Sequence, residues 1–253
     1  QAGAKLVLLG RRVPKLNRLH AAIAGDGGDS TLYPLDLEGA SPDDYAQMAE
    51  RIGAEFGRLD GVLHCAANFR GLTPLALTDP ADFARAVHVN LTARWWLTQA
   101  CLPLIAESDA GAVVFAIDDP ARGGSNAFWG GYGLAQSAQE TLVPMLQAEL
   151  GEHGPRISGL RPGPMRTALR GKAFQPNTDM QARPPGDYAA ACVELLSVAG
   201  AGFSGFPVAV HPAYGIPVST AASLLAVALG IALLRQPLPD RTPIPTTPPV
   251  SLG

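Results

Sequence analysis

The sequence predicts an α/β fold, a doubly wound parallel sheet with helices on both faces. Three observations predict it. Over the first 210 of 253 residues, short apolar runs alternate with longer amphipathic stretches, the period of repeated strand and helix units. The short runs are rich in Val, Ile and Leu, as strands covered on both faces are. Between the segments stand helix starts with proline or capping residues, and glycine-rich stops.

Taken in order, Lys5 to Leu9 reads as a buried strand ending at Gly10, and Pro14 to Ile23 as a helix closed by the run Gly25 to Gly28. Thr31 to Leu35 is the next strand. Ser41-Pro42-Asp43-Asp44 is a helix start, with a capping serine, a proline in the first turn and two acids at the positive end of the dipole. That helix is expected to run to Phe56. Strands follow at Gly61 to Ala66, Ala112 to Ile117, Ile157 to Leu160 and Phe206 to Val210, with helices over Pro80 to Ile105, Gly131 to Leu150 and Asp187 to Ser197.

These elements make one domain over residues 1–210. The segment 211–235 is different: Val218 to Leu234 carries no charge. A membrane span needs about 20 apolar residues, so a packed helix is favoured over membrane contact through 218–234. The tail 236–253 holds six prolines and is expected to be extended or disordered.

With 47% apolar and 16% charged residues, the chain can bury a substantial core. A formal charge of -3 offers no broad basic surface, which argues against nucleic acid as a partner. Cys65, Cys101 and Cys192 are widely spaced in apolar segments and form no CxxC. They read as buried thiols in a reducing, cytoplasmic setting, with no metal site and no disulfide framework. The chain opens on Gln1 rather than Met, so a longer protein is expected.

Several motifs carry chemistry. Gly10-Arg11-Arg12 ends the first strand, and Leu35-Asp36-Leu37 ends the second. Taken alone, these are equally well read as a pair of solvated arginines and a turn residue. Leu63-His64-Cys65-Ala66-Ala67 closes the third strand; a histidine there is more often a bonded core residue than a base. Asn90 stands in Val87-His88-Val89-Asn90-Leu91, Tyr132 and Gln136 lie one helical turn apart, and Arg161-Pro162-Gly163-Pro164-Met165-Arg166-Thr167 follows a strand.

Together these spacings resemble the short-chain dehydrogenase/reductase family, from its second strand to its last. The resemblance implies a Rossmann-like fold whose first strand, glycine-rich turn and helix precede Gln1. Their absence here would leave two unpaired strand edges in the sheet. It also implies an NAD(P)-binding domain. Arg11 and Arg12 favour NADP(H) over NAD(H) through the 2′-phosphate, Asp36 and Leu37 meet the adenine, and Ala66 and Ala67 line the cofactor where the family writes Asn-Asn-Ala-Gly. Pro162, Gly163 and Thr167 border the nicotinamide.

On the catalytic side the resemblance makes Tyr132 the proton donor and Asn90 a member of its relay. Two family residues are replaced: the lysine by Gln136, and the serine thirteen positions before the tyrosine by Asp119. A cation about 4 to 6 Å away is worth roughly 3 to 4 kcal/mol to a phenolate at an effective dielectric near 20, so losing it raises the tyrosine pKa by about two units. The chain's only lysines are Lys5, Lys15 and Lys172, none expected near Gln136.

The reading is therefore an oxidoreductase moving hydride to or from a small carbonyl or alcohol substrate. The alternative is a catalytically inactive descendant that binds a nucleotide or acts as a scaffold. A homodimer or homotetramer is implied by the family, and Trp95, Trp96 and Trp129 serve either such a surface or the core.

Overall fold

The computed structural model describes residues 3–119, 126–175, 179 and 182–210, together with the backbone of 231–234. Among them, the strands β1 Lys5–Gly10, β2 Asp29–Pro34, β3 Gly61–His64, β4 Ala112–Ala116, β5 Arg156–Arg161, β6 Pro207–Ala209 and β7 Ile231–Leu234 form one sheet. Its order is β2-β1-β7-β3-β4-β5-β6. The helices are α1 Val13–Gly25, α2 Pro42–Phe56, α3 Pro80–Val87, α4 Ala93–Ala106, α5 Gly130–Leu150 and α6 Ala189–Leu196.

Successive side chains of a strand point to opposite faces, and this alternation divides the core. Val7, Leu9, Val62, Val113 and Phe115 join Tyr45, Met48, Leu97 and Val143 beneath α2, α4 and α5. On the other face, Leu8 packs with Leu16, Leu19 and Ile23 of α1. Leu63, Ala112 and Val114 pack there with Cys192 and Leu195 of α6. At about 1.5–3 kcal/mol for each large apolar side chain removed from water, the first and larger cluster dominates in holding the sheet to its helices.

Local signals behave as the sequence suggests at α2. Ser41 Oγ accepts from Asp44 N at 3.3 Å, and an Asp44 carboxylate oxygen accepts from Ser41 N at 2.7 Å, a reciprocal cap. The single helix expected over Pro80 to Ile105 is instead α3, a π turn at His88–Thr92, and α4. Asn90 braces that turn. Its Nδ2 donates to the carbonyls of Asn68 and Ala86, each at 2.7 Å, and its Oδ1 accepts from Asn68 N at 3.0 Å. Elsewhere boundaries move by roughly a residue or two.

The centre of the sheet corrects the expectation of two unpaired edges. Strand β7 lies between β1 and β3 and runs antiparallel to both, with Ile231 opposite Leu9 on one side and His64 on the other. Any extended segment satisfies such edge groups, whichever way it runs, and the uncharged sequence Ile231-Ala232-Leu233-Leu234 suits a central position. The same strand overturns the helix expected over 211–235 at these four positions. The rest of that segment, and the tail 236–253, lie outside the described residues. Among the described residues, no helix is long and apolar enough to cross a membrane.

Candidate functional site

A cavity of about 590 Å³ opens at the C-terminal ends of β1, β3, β4 and β5. At one end the wall is Gly10, Arg11, Arg12 and Lys15, faced by Asp36 and Leu37. Arg11 is held by acids, its Nη1 lying 3.4 Å from Glu38 Oε2 and 3.6 Å from Asp36 Oδ2. Arg12 and Lys15 have no ion-pair partner among the described residues. Both stand at the start of α1, which has no side-chain cap and no acid in its first turn. The positive end of a helix, beside two cations without ion-pair partners among the described residues, favours an anion there.

Cys65, Ala66 and Ala67 form the middle of the cavity, with Pro162, Gly163 and Thr167 across from them. Gly163 has a φ of +82°, a conformation only glycine adopts without strain, which accounts for its place after β5. Burial raises the Cys65 thiol to about 12, so it is inert at neutral pH.

The far end holds Tyr132 and Gln136, both almost wholly buried. The Tyr132 ring packs against Phe69 at 4.9 Å and Trp129 at 5.9 Å between centroids. Trp129 thus belongs to a local aromatic cluster, Trp96 packs against the main core, and Trp95 is exposed. Tyr132 Oη donates to Asp118 Oδ2 at 2.9 Å, while Gln136 Oε1 accepts from Asp118 N at 2.9 Å. Burial first, then the Asp118 charge and hydrogen bond, hold Tyr132 well above the ordinary phenol pKa; Arg94 and Arg170 act in the opposite direction.

The structure therefore brings Asp118, not Asp119, to the tyrosine, and Asp119 does not line the cavity. Asn90 also stands outside the wall, with its side chain spent on the brace to Asn68 and Ala86. The other residues expected to meet a cofactor or carry the proton, Arg11, Arg12, Asp36, Leu37, Ala66, Ala67, Tyr132, Gln136, Pro162, Gly163 and Thr167, all line one cavity. His64 is fully buried, its Nε2 2.8 Å from Thr98 Oγ1. Since the Thr98 hydroxyl donates to Arg94 O at 2.9 Å, His64 Nε2 is the donor in that pair. Burial, with the Arg94 charge, pushes its pKa well below the usual imidazole value, so His64 is neutral and structural.

Sequence reasoning missed Arg94, Asp118 and two further cations. Lys172 lines the cavity, with Nζ 2.6 Å from Phe69 O, as does Arg170, stacked 4.0 Å over Phe174. Arg94 had a legible signal, being the one charge between Asn90 and Ile105. It is fully buried, and its Nη1 donates to Ala116 O at 3.0 Å and to Gln139 Oε1 at 2.5 Å, while Nη2 donates to Ala66 O at 2.5 Å.

A profile described as enoyl-(acyl carrier protein) reductase matches residues 1–205. The uncharacterized oxidoreductase YciK of Escherichia coli K12 is 34% identical over 186 residues, covering 73% of this chain and 73% of its own. A short chain dehydrogenase from Shigella flexneri 2a str. 301, solved complexed with NADP, is 31% identical with a TM-score of 0.75, covering 80% of this chain and 84% of that one. A short chain dehydrogenase from Escherichia coli CFT073, complexed with NADPH, is 32% identical with a TM-score of 0.75 and the same coverages, 80% and 84%.

Proposed function

The chain belongs to the short-chain dehydrogenase/reductase family, and from that membership we propose that it is an oxidoreductase preferring NADP(H) and acting on a small carbonyl or alcohol. One observation carries this reading: a single cavity joins an unpaired cationic pole at Arg12 and Lys15 to the buried Tyr132. The pole suits a 2′-phosphate, which NADP carries and NAD lacks. In this reading Asp36 accepts from an adenine amine, the small side chains of Ala66 and Ala67 leave room for the cofactor, and Thr167 offers a hydroxyl to the nicotinamide, all four lining the cavity.

A dinucleotide also carries a pyrophosphate. In this family it rests on amides at a helix N-terminus that follows a strand. Strand β7 enters the sheet at the cavity edge and leaves from the opposite one, so its C-terminal end, from which such a helix would start, lies away from the cavity.

When bound, the nicotinamide supplies or removes a hydride. The chain's own residues then handle a proton: in reduction, Tyr132 Oη gives it to the substrate oxygen. Phe69 and Trp129 keep water from the ring.

Titration with NADPH and NADH, followed by nicotinamide fluorescence, tests the cofactor reading. Saturation is expected with both, tighter for NADPH. Arg12→Ala with Lys15→Ala should weaken NADPH by about 10- to 150-fold, the worth of one charge-assisted contact, and spare NADH. No saturable change at millimolar cofactor, or equal loss for both, overturns it.

A second reading, binding without turnover, has its own support in the carboxylate held against the Tyr132 hydroxyl and the uncharged Gln136. Rates across a carbonyl panel, with Tyr132→Phe as control, separate the two. Turnover that Tyr132→Phe abolishes excludes the inactive form.

A further inference from the structure

Burying a guanidinium is costly unless a carboxylate neutralises it, yet among the described residues no carboxylate pairs with Arg94. Its partners are neutral: the carbonyls of Ala66 and Ala116 and the amide oxygen of Gln139. Its Nε is buried without a partner. Burial lowers its pKa only to about 10, so it remains a cation at neutral pH. The result is an uncompensated positive charge set into the cavity wall beside Tyr132.

The hydrogen bonds around it lead toward the tyrosine. Arg94 Nη1 meets Gln139 Oε1 at 2.5 Å, Gln139 Nε2 lies 3.4 Å from Gln136 Oε1, and that same oxygen accepts from Asp118 N at 2.9 Å. Asp118 in turn accepts from Tyr132 Oη at 2.9 Å. Gln136 holds the position from which a lysine would act one turn along α5, but its side chain is occupied with the backbone of Asp118.

We propose that Arg94 is a positioning residue that supplies from α4 the positive field on Tyr132 that a lysine at position 136 would supply from α5. The inference rests on the oxidoreductase reading. In the reductive direction the carbonyl carbon takes hydride from a dihydronicotinamide. The Tyr132 O–H bond breaks and its proton passes to the carbonyl oxygen, leaving the electron pair on the phenolate until solvent reprotonates it. A cation nearby favours that phenolate. Among the described residues, three charged groups act on Tyr132: Arg94 from α4, Arg170 from the segment after β5, and Asp118 after β4, the last opposing. Arg170 is already tied to Asp179 at 2.5 Å, which cancels much of its field. On the other side, Arg94 faces His64 and Cys65 of the β3 end, both uncharged at neutral pH.

The test compares Arg94→Gln, Arg94→Lys and Arg94→Gln combined with Gln136→Lys. Tyr132 ionisation is read by difference absorbance against Tyr132→Phe, alongside kcat for carbonyl reduction and NADPH affinity. Arg94→Gln should raise the Tyr132 ionisation by about one unit or more and cut kcat by about tenfold or more, with NADPH affinity unchanged. Adding Gln136→Lys should recover both. Arg94→Lys keeps the charge and should leave the ionisation within about half a unit even if its Tm falls. Loss of Tm alone in Arg94→Gln, with ionisation and kcat unmoved, overturns the proposal. If Arg94→Gln does not fold, a rise of one unit in folded Arg94→Lys overturns it. A wild type that binds NADPH without turning over any carbonyl refutes the oxidoreductase reading instead, and the Tyr132 titration still reports on Arg94.

Discussion

Asp118→Asn isolates the charge that most directly opposes proton transfer. The carboxylate accepts from Tyr132 Oη at 2.9 Å, so a phenolate formed there would face an anion at the same distance. At an effective dielectric of about 20, that repulsion is roughly 6 kcal/mol; Asp118 is partly exposed, and screening reduces it to about 3 kcal/mol. Those limits correspond to roughly 2 to 4 units of tyrosine pKa. Asparagine is nearly isosteric and keeps an acceptor for the hydroxyl, so the fold and the hydrogen bond survive while the charge goes. The expected outcome is a fall of about 2 to 4 units in the Tyr132 ionisation, read by difference absorbance across an alkaline titration with Tyr132→Phe subtracted, since the chain holds five tyrosines. Turnover near neutral pH should rise with it. An ionisation that stays within about half a unit of wild type refutes the argument that the carboxylate controls Tyr132.

Two further outcomes follow from the same geometry. His64 is buried neutral with its pKa well below 6.5 in the fold, whereas the unfolded chain takes up the proton near that value, so its stabilising contribution is present above pH 6.5 and lost as pH falls below it. The unfolding free energy from urea titrations should therefore drop between pH 7 and 5, by up to about 1.4 kcal/mol per pH unit, and His64→Gln should flatten that slope; an unchanged slope would remove His64 as its source. For self-association, Trp95 on α4 and Leu134 and Met145 on α5 are 40%, 56% and 53% exposed, and two copies are proposed to cover them. Leu134→Glu should halve the sedimentation mass, and a mass unaffected by the change, or monomeric already in wild type, rules that surface out.

What the sequence determined by itself is whatever depends on near neighbours along the chain. Alternation in Lys5 to Leu9 and Ala112 to Ile117 sets which side chains face each core, because a strand turns its side chains every residue. The cap at Ser41 and Asp44 closes within one turn, and Gly163 answers a backbone need of its own φ. The cavity-lining residues Arg11, Arg12, Asp36 and Pro162 are likewise legible, since each follows closely on the end of a strand and the ends of neighbouring strands in such a sheet share one edge; Thr167 lines the same cavity from the loop after β5.

Only the tertiary structure decided the rest. Counting back thirteen residues selects Asp119, but Ile117 points into the core and the carboxylate that reaches Tyr132 is that of Asp118. Arg94 contacts Ala66, Ala116 and Gln139, which lie 28, 22 and 45 positions away, so no local pattern reveals its partners. The strand between β1 and β3 is the furthest case: edge amides and carbonyls demand a partner without specifying which segment or direction, and Ile231–Leu234 meets that demand from more than two hundred residues beyond β1.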